Sequence, residues 1–368
     1  MKNLIKNLSN IPGWRTNRKI VVFESDDWGS IRMSSNESYE ARVKAGISLS
    51  KGAGERYNKY DTLASKDDMT FLFEVLNSVK DKHNNSAKIT ALSLVTNPDF
   101  DKIKQDNYQN YHYEFFTKTL ERFNRADAFP LWKQGIKENI FVPEFHGREH
   151  LNVVSWMRAL QAKDSEALLA FKHGVTGYNR KNSKISFQAA FDLEFPSDIE
   201  LQKEIVKDGL ALFEQIHGFK SRFFVPPNGR INDALEKVAF DNGIQYISTS
   251  KIHFEALGDG KTKKQYRHIG KTNAQNQTYI TRNAFFEPSG SVRDEVNGCL
   301  SEIACAFRWK KPAVISSHRI NFIGSLDEKN RDTSLKKFGQ LLAAIVKKWP
   351  DVEFMTSSEL GDVVTGKK

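Results

Sequence analysis

Residues 20–29 read Ile20-Val21-Val22-Phe23-Glu24-Ser25-Asp26-Asp27-Trp28-Gly29, and this stretch decides the fold class of the 368-residue chain. It opens with a short apolar, β-branched run, which is typical of a buried strand. The run stops on two adjacent carboxylates. Because neighbouring side chains of a strand point to opposite faces, we expect both carboxylates to enter one cleft only where the strand ends. Two carboxylates at such a place share a cation or split their proton affinities.

Short apolar runs of this kind recur along the chain, with amphipathic helical patterns between them. Strands that alternate with helices indicate a mainly parallel sheet with right-handed crossovers, either a closed barrel or a wound sheet. In both architectures ligands gather at the carboxyl ends of the strands. The predicted strands cover residues 19–24, 89–96, 139–142, 187–193, 222–225, 246–249, 279–281, 313–317 and 352–356.

Two stretches are too long to be plain connections between these elements. One covers about residues 28–87, and the other, polar and rich in Lys, Gly, Asn and Gln, covers about residues 255–278. Long loops in compact domains are usually lids or insertions. Since no internal repeat or low-complexity linker separates the motifs, we predict a single domain over residues 1–368 with these two insertions.

The composition limits the classes of protein that the chain can be. The formal net charge is +10, but the lysines are spread along the chain apart from one dense run at residues 261–267. No nucleic-acid-binding signature accompanies that run, so we interpret it as a solvated loop and expect no nucleic-acid partner. No stretch approaches the roughly 18 apolar residues of a membrane span, and the start lacks the apolar segment of a secretory signal. We therefore expect a cytoplasmic protein.

The two cysteines are consistent with that compartment. Cys299 and Cys305 lie six residues apart in one predicted helix at 292–309, which places them on different faces. We interpret them as reduced packing residues.

A second motif combines two histidines four residues apart. His146 and His150 follow the apolar run at residues 140–142. At the start of a helix, this spacing stacks both imidazoles on one face. Two neutral imidazole nitrogens on one face are suited to bind one zinc ion at roughly 2.0–2.1 Å. The alternative for this spacing alone is an exposed pair at the start of a helix.

Two further motifs also follow predicted strands. The run at residues 313–317 ends on His318, and the run at 222–225 enters a Pro-Pro turn that contains Asn228 and Gly229. Proline fixes the backbone and glycine permits close approach, so such a loop can present a backbone N–H to a developing oxyanion. Each motif alone is also compatible with a purely structural histidine or turn.

The four motifs occur in an order that resembles the polysaccharide deacetylase superfamily, the family-four carbohydrate esterases with a NodB-type homology domain. The Asp pair matches the family's first motif, His146 and His150 its second, and His318 its fifth. The loop 225–229 matches the third motif in part. The resemblance spans about residues 19–360 and implies an α/β fold, a distorted (β/α) barrel of about seven strands with helical and loop insertions.

The resemblance also implies roles for individual residues. Asp27, His146 and His150 would hold a divalent metal, most often zinc. Asp26 would be the general base that deprotonates the attacking water, and His318 the general acid that protonates the leaving amine. A backbone N–H near Asn228 would help to bind the oxyanion. The substrate would be an acetylated amino sugar or another acylated glycan.

The chain departs from the family pattern in the third and fourth motifs. Val225 occupies the place of the arginine that orients the catalytic aspartate, and we consider Arg230 or Arg148 as substitutes. The best match to the fourth motif is residues 281–287, where Arg282 or Glu287 would support His318. Trp28 directly follows the Asp pair, and we predict that it forms part of the pocket wall.

The leading hypothesis is a metal-dependent hydrolase that removes an N- or O-acetyl group from a carbohydrate. One alternative is a glycoside hydrolase on a related barrel, which would place a second acid such as Glu287 about 5–10 Å from the Asp pair. Another is a catalytically silent glycan-binding member, which the missing arginine of the third motif favours. The sequence does not indicate an oligomeric state.

Overall fold

The computed structural model describes residues 7–49, 54–178, 185–291 and 293–367. Thirteen strands are present in these ranges. They are β1 (Lys19–Trp28), β2 (Ile89–Leu94), β3 (Thr96–Pro98), β4 (Tyr113–Phe115), β5 (Phe141–Gly147), β6 (Phe223–Phe224), β7 (Tyr246–Ser248), β8 (Ile252–Gly258), β9 (Lys261–Tyr266), β10 (Thr278–Ile280), β11 (Ala284–Phe285), β12 (Ala313–His318) and β13 (Val352–Phe354).

Nine of the strands form one parallel sheet. Its order is β10-β7-β6-β5-β2-β1-β12-β11, and β13 pairs with the first residues of β1. The other strands form two antiparallel pairs, β3 with β4 and β8 with β9. The prediction of a parallel sheet with helical crossovers is confirmed.

The sheet curls into a distorted (β/α) barrel, as the sequence predicts. Ile280 of β10, at one end of the strand order, packs in the same buried cluster as Val22 of β1 and Val314 of β12. Leu360 of the last helix joins this interior cluster. Among the described residues no ladder joins β10 to β11, so the barrel stays open between these strands.

Both faces of β1 are buried, which explains the apolar run over its residues 20–23. Alternate residues Ile20 and Val22 face the interior cluster, whereas Val21 and Phe23 face the surrounding helices.

The helices are α1 (Asn36–Lys44), α2 (Glu55–Tyr60), α3 (Lys66–Asn77), α4 (Phe100–Gln105), α5 (Phe116–Arg122), α6 (Phe129–Lys137), α7 (Val153–Gln161), α8 (Ser165–Lys172), α9 (Ile199–His217), α10 (Asp233–Asp241), α11 (Glu295–Arg308), α12 (Glu328–Lys348) and α13 (Ser357–Thr365).

Two local predictions are wrong. The described residues of the segment 187–193 form turns, not a strand, although Phe187 and Phe191 are buried. Their apolar side chains fill space beneath loops, which a short apolar run does not distinguish from a strand. The basic run at 261–267 is not a solvated loop, since residues 261–266 form β9, which pairs with β8 in an antiparallel hairpin. The segment 28–87 contains α1, α2 and α3 in its described parts.

The two cysteines are free and buried on α11, as predicted. Among the described helices, none has the length and apolarity needed to cross a bilayer.

Candidate metal and catalytic site

A bulge in β1 delivers the two aspartates to one cleft. The pairing of β1 with β2 shifts register between Ser25 and Trp28, and Asp27 adopts a φ of 76°. A bulge re-aims side chains that would otherwise alternate. Left-handed backbone at a residue other than glycine is strained and is found preferentially at functional sites. Asp26 and Asp27 therefore both line the cleft.

The imidazoles of His146 and His150 meet the carboxylate of Asp27. Asp27 Oδ1 lies 3.5 Å from His146 Nε2 and 3.4 Å from His150 Nε2. The predicted helical stacking of the two histidines is wrong, because His146 ends a strand and α7 begins only at Val153. The chain turns instead at Gly147, where φ is 142°.

The protonation of His146 is fixed by the backbone. Its Nδ1 lies 2.6 Å from the carbonyl oxygen of Val225, which can only accept, so Nδ1 carries the proton. Among the described residues, the buried His146 Nε2 has no hydrogen-bond partner. Burial lowers the pKa of His150 to about 4, which favours its neutral form. The Nε2 atoms of both imidazoles thus face the carboxylate of Asp27.

These three donor atoms fit a tetrahedral cation. Asp27, His146 and His150 each offer a ligand atom, all within 4.8 Å of one another. Ligands at 2.0–2.1 Å from a tetrahedral zinc lie about 3.3–3.4 Å apart, close to the separations around Asp27 Oδ1. Two nitrogens and one oxygen leave a coordination position open, as catalytic zinc sites do.

Asp26 is held by Arg282, which lies in the chain between β10 and β11. Arg282 binds both of its carboxylate oxygens, at 2.5 and 2.8 Å, and donates through Nε to the buried Glu24 at 2.6 Å. Burial raises the pKa of Asp26, but the charge of Arg282 outweighs it, so this pKa lies below the usual value. Arg282 therefore holds the carboxylate of Asp26 in a fixed orientation.

His318 is adjacent to Asp26 across the ladder of β1 and β12. Its Nε2 lies 3.7 Å from Asp26, and its Nδ1 lies 2.5 Å from Glu287 Oε1. Burial lowers the pKa of His318, but Glu287 outweighs that effect and raises the pKa to about 9. Glu287 supports His318, as expected, and is also bound by Arg56 and Asn321.

The cleft around these groups has a volume of about 480 Å³. Asn228 lines it with φ of 55°, immediately after the Pro-Pro turn, and its side chain is exposed. Asn228 thus lines the same cleft as the Asp pair, where the sequence predicts an oxyanion donor.

Trp28, a further predicted site residue, lies outside the cleft. Trp28 is 1% exposed and packs against Trp132 and Phe141 in the core, with its indole donating to Ser25. Its prediction as a pocket wall is wrong, because the strand continues through Trp28 and its side chain points toward the helices.

Neither proposed substitute for the missing arginine reaches the site. Arg230 pairs with Asp192 at 3.0 Å, and Arg148 pairs with Glu149 at 2.8 Å.

Sequence reasoning did not find Arg32, Arg56 and Tyr57. Arg32 and Tyr57 line a cavity that also contacts Asp27 and His318, and the ring of Tyr57 packs edge-on against His318 at 5.3 Å. All three belong to the stretch between β1 and β2. No recognisable spacing marks them in the sequence, and only the fold brings them to the cleft.

Comparison with known proteins gives no match to any protein-family profile and none to a curated protein. Several solved structures are similar to the chain. A putative polysaccharide deacetylase from Mycobacterium smegmatis is 12% identical, with a TM-score of 0.45, 96% of this chain covered and 92% of that chain. A probable polysaccharide deacetylase from Pseudomonas aeruginosa PAO1 is 9% identical, with a TM-score of 0.45 and coverages of 94% and 90%.

A third similar structure is a CE4 family pseudoenzyme from Bacillus anthracis, 12% identical, with a TM-score of 0.38 and coverages of 96% and 69%. The polysaccharide deacetylases that the sequence motifs resemble are thus among the solved structures to which this chain is similar.

Proposed function

We propose that the chain is a metal-dependent hydrolase that removes an acetyl group, N- or O-linked, from a carbohydrate. The observation that carries the proposal is the convergence of Asp27 with His146 and His150, beside a second carboxylate and a third imidazole. A site of this kind holds a cation, a base and an acid within one cleft, which are the parts that hydrolysis of an amide or ester requires.

Asp27, His146 and His150 would hold the cation. The mixed nitrogen and oxygen donor set suits zinc. A divalent cation supplies a Lewis acid, which makes water nucleophilic near neutral pH and polarises the acyl carbonyl. His146 is kept in the correct tautomer by the Val225 carbonyl.

Asp26 and His318 are suited to move protons in opposite directions. Asp26, fixed by Arg282, accepts the proton of the attacking water. His318, kept protonated by Glu287, donates a proton to the departing nitrogen or oxygen. The loop at Asn228 would offer a backbone donor to the oxyanion.

The test is acetate release from acetylated amino sugars, measured with the metal content of the same preparation. We expect about one zinc or similar ion per chain by elemental analysis and loss of acetate release after chelation. Added zinc should restore the activity. Full activity in protein stripped of metal would overturn the proposal.

A matched pair of variants distinguishes a specific loss of catalysis from a general loss of folding. Arg282→Gln removes the partner of Asp26 but none of the three metal ligands. It should keep the metal and lose most of the acetate release. The control Arg222→Gln removes a guanidinium that binds Asp362 with both nitrogens at 2.9 Å on the surface, and should leave both readouts unchanged.

A further inference from the structure

We propose that a second cavity beside the metal ligands binds an anionic group of the substrate through Arg32. The inference rests on the proposed function and narrows its substrate to acylated sugars that carry a carboxylate or a phosphate. This cavity, of about 290 Å³, shares Asp27, His150, Asn228 and His318 with the main cleft. A sugar bound at the metal therefore reaches both spaces.

The guanidinium of Arg32 is bound by neutral groups. Its Nε donates to Asn58 Oδ1 at 2.8 Å, and its Nη1 donates to Gln188 Oε1. Among the described residues, no carboxylate lies within ion-pair distance of Arg32, whereas most arginines of this chain have such a partner. The segments 50–53 and 179–184, outside the described residues, contain no Asp or Glu.

The nearby carboxylates are engaged by other partners. Asp61 is bound by Arg319, which donates to both of its oxygens at 2.9 Å. Of the described residues that line the second cavity, Asp27 alone is acidic, and the cation of the proposed function would neutralise it. A half-buried cation without an anionic partner is costly, and an anionic ligand offsets that cost.

The guanidinium is also held in place before any ligand arrives. Gly177 lies flat against it, since a Cβ at that position would be 2.5 Å from Arg32 Cζ. Asn58 is buried and its Nδ2 donates to the Leu49 carbonyl at 3.1 Å, which turns Oδ1 toward Arg32. A fixed arginine fork is the usual device for recognising carboxylate and phosphate oxygens.

The test compares three sugars on one N-acetylglucosamine scaffold: the neutral sugar, its lactyl ether with a carboxylate (N-acetylmuramic acid) and its 6-phosphate. Binding is measured by calorimetry in the Asp26→Asn background, and acetate release in the otherwise wild-type protein. We expect at least one acidic sugar to bind about tenfold or more tightly than the neutral one. The identity of the preferred sugar distinguishes carboxylate from phosphate.

Arg32→Gln should bring the ratio of acidic to neutral affinity close to one. The control is Arg42→Gln. Arg42 is a buried cation that binds the His173 carbonyl at 2.7 Å and has no ion-pair partner within the part of the chain that the structure describes, and its replacement should keep the ratio. If Arg32→Gln does not fold, Arg32→Lys replaces it and should lower the ratio several-fold. Equal affinity of wild-type protein for all three sugars, or a ratio unchanged in the Arg32 variant, overturns the subsite.

The two proposals fail in different ways. Acetate release from neutral and acidic sugars at equal efficiency supports the hydrolase and overturns the subsite. Binding of acidic sugars that depends on Arg32, without acetate release from any of them, supports the subsite and overturns the hydrolase.

Discussion

The imidazole of His146 is oriented by a single backbone carbonyl, which directs its free nitrogen at Asp27. We expect His146→Ala to lose the metal and the acetate release together, because two remaining protein donors bind zinc weakly. Elemental analysis and the acetate assay measure both effects on the same sample.

The control for this variant is His253, which is likewise buried and lies 2.9 Å from the Ile231 carbonyl, but in β8. His253→Ala removes a buried imidazole without removing a ligand, so it should retain about one metal ion per chain. Wild-type kinetics in His146→Ala would contradict the assignment of the histidine pair to the active site.

The proposed function gives Asp26 a different role from Asp27, and one substitution tests that difference. Asp26→Asn keeps the size of the side chain but cannot accept a proton, so we expect acetate release to fall about 10²–10⁴-fold. The metal content should stay at the wild-type level, because Asp26 is not among the three clustered donors. Loss of the metal in this variant would mean that Asp26 and Asp27 have exchanged roles.

The sequence was sufficient to place the motifs at strands. It was not sufficient to predict the backbone conformation where those strands end. Apolar runs correctly predicted β1, β5 and β12, since a strand buried on both faces leaves a continuous apolar pattern. The bulge that turns Asp27 into the cleft depends on the register with β2, a pairing between residues more than sixty positions apart. A four-residue spacing favoured a helix for His146 and His150, whereas the turn at Gly147 brings them together.

An ion-pair cluster lies where the last strand, β13, pairs with the first strand, β1. Glu353 is bound by Arg18 at 2.5 Å and by Lys82 at 2.9 Å. The hydrogen bonds from Arg18 are the main cause that lowers the pKa of Glu353 to about 2. Because the folded pKa is below the unfolded one, this carboxylate stabilises the fold above about pH 5, and the effect is lost as the pH falls toward 2.

We therefore expect Glu353→Gln to lower the free energy of unfolding at pH 7 by about 1–2 kcal/mol. The pKa difference alone corresponds to about 3 kcal/mol, and solvent screening of the exposed Arg18 and Lys82 reduces it. Urea unfolding at pH 7 and pH 3 should show the difference from wild type shrinking at the lower pH. The exposed pair of Glu200 with Lys203 is the control, and Glu200→Gln should cost less than about 0.5 kcal/mol. An equal cost of Glu353→Gln at both pH values would contradict the assignment.

The barrel as a whole brings the residues of the site together. Its curvature was predicted only through the family resemblance, not from the residue pattern. Glu24 on β1 and Ser248 at the end of β7 are within 3.3 Å across the interior, and Arg282 spans the same gap. Arg282 directly precedes β11, and its contact with Asp26 depends on the strand order β1-β12-β11. No local pattern encodes that order, so the sequence led to Arg230 and Arg148, which are nearer in the motif but point elsewhere.

A cation bound at the rim joins β1 to β5 and to the segment that precedes α7, so metal binding should stabilise the entire fold. A ligand that binds only the folded state at 100 times its dissociation constant contributes about 2.7 kcal/mol. For a chain of this length we expect the midpoint of thermal unfolding to rise by about 3–4 °C on addition of zinc to stripped protein. Circular dichroism follows the transition, with Asp27→Asn as the matched variant that lacks one ligand. The variant should show little or no rise, and an equal rise in both proteins would place the zinc outside the cluster of Asp27, His146 and His150.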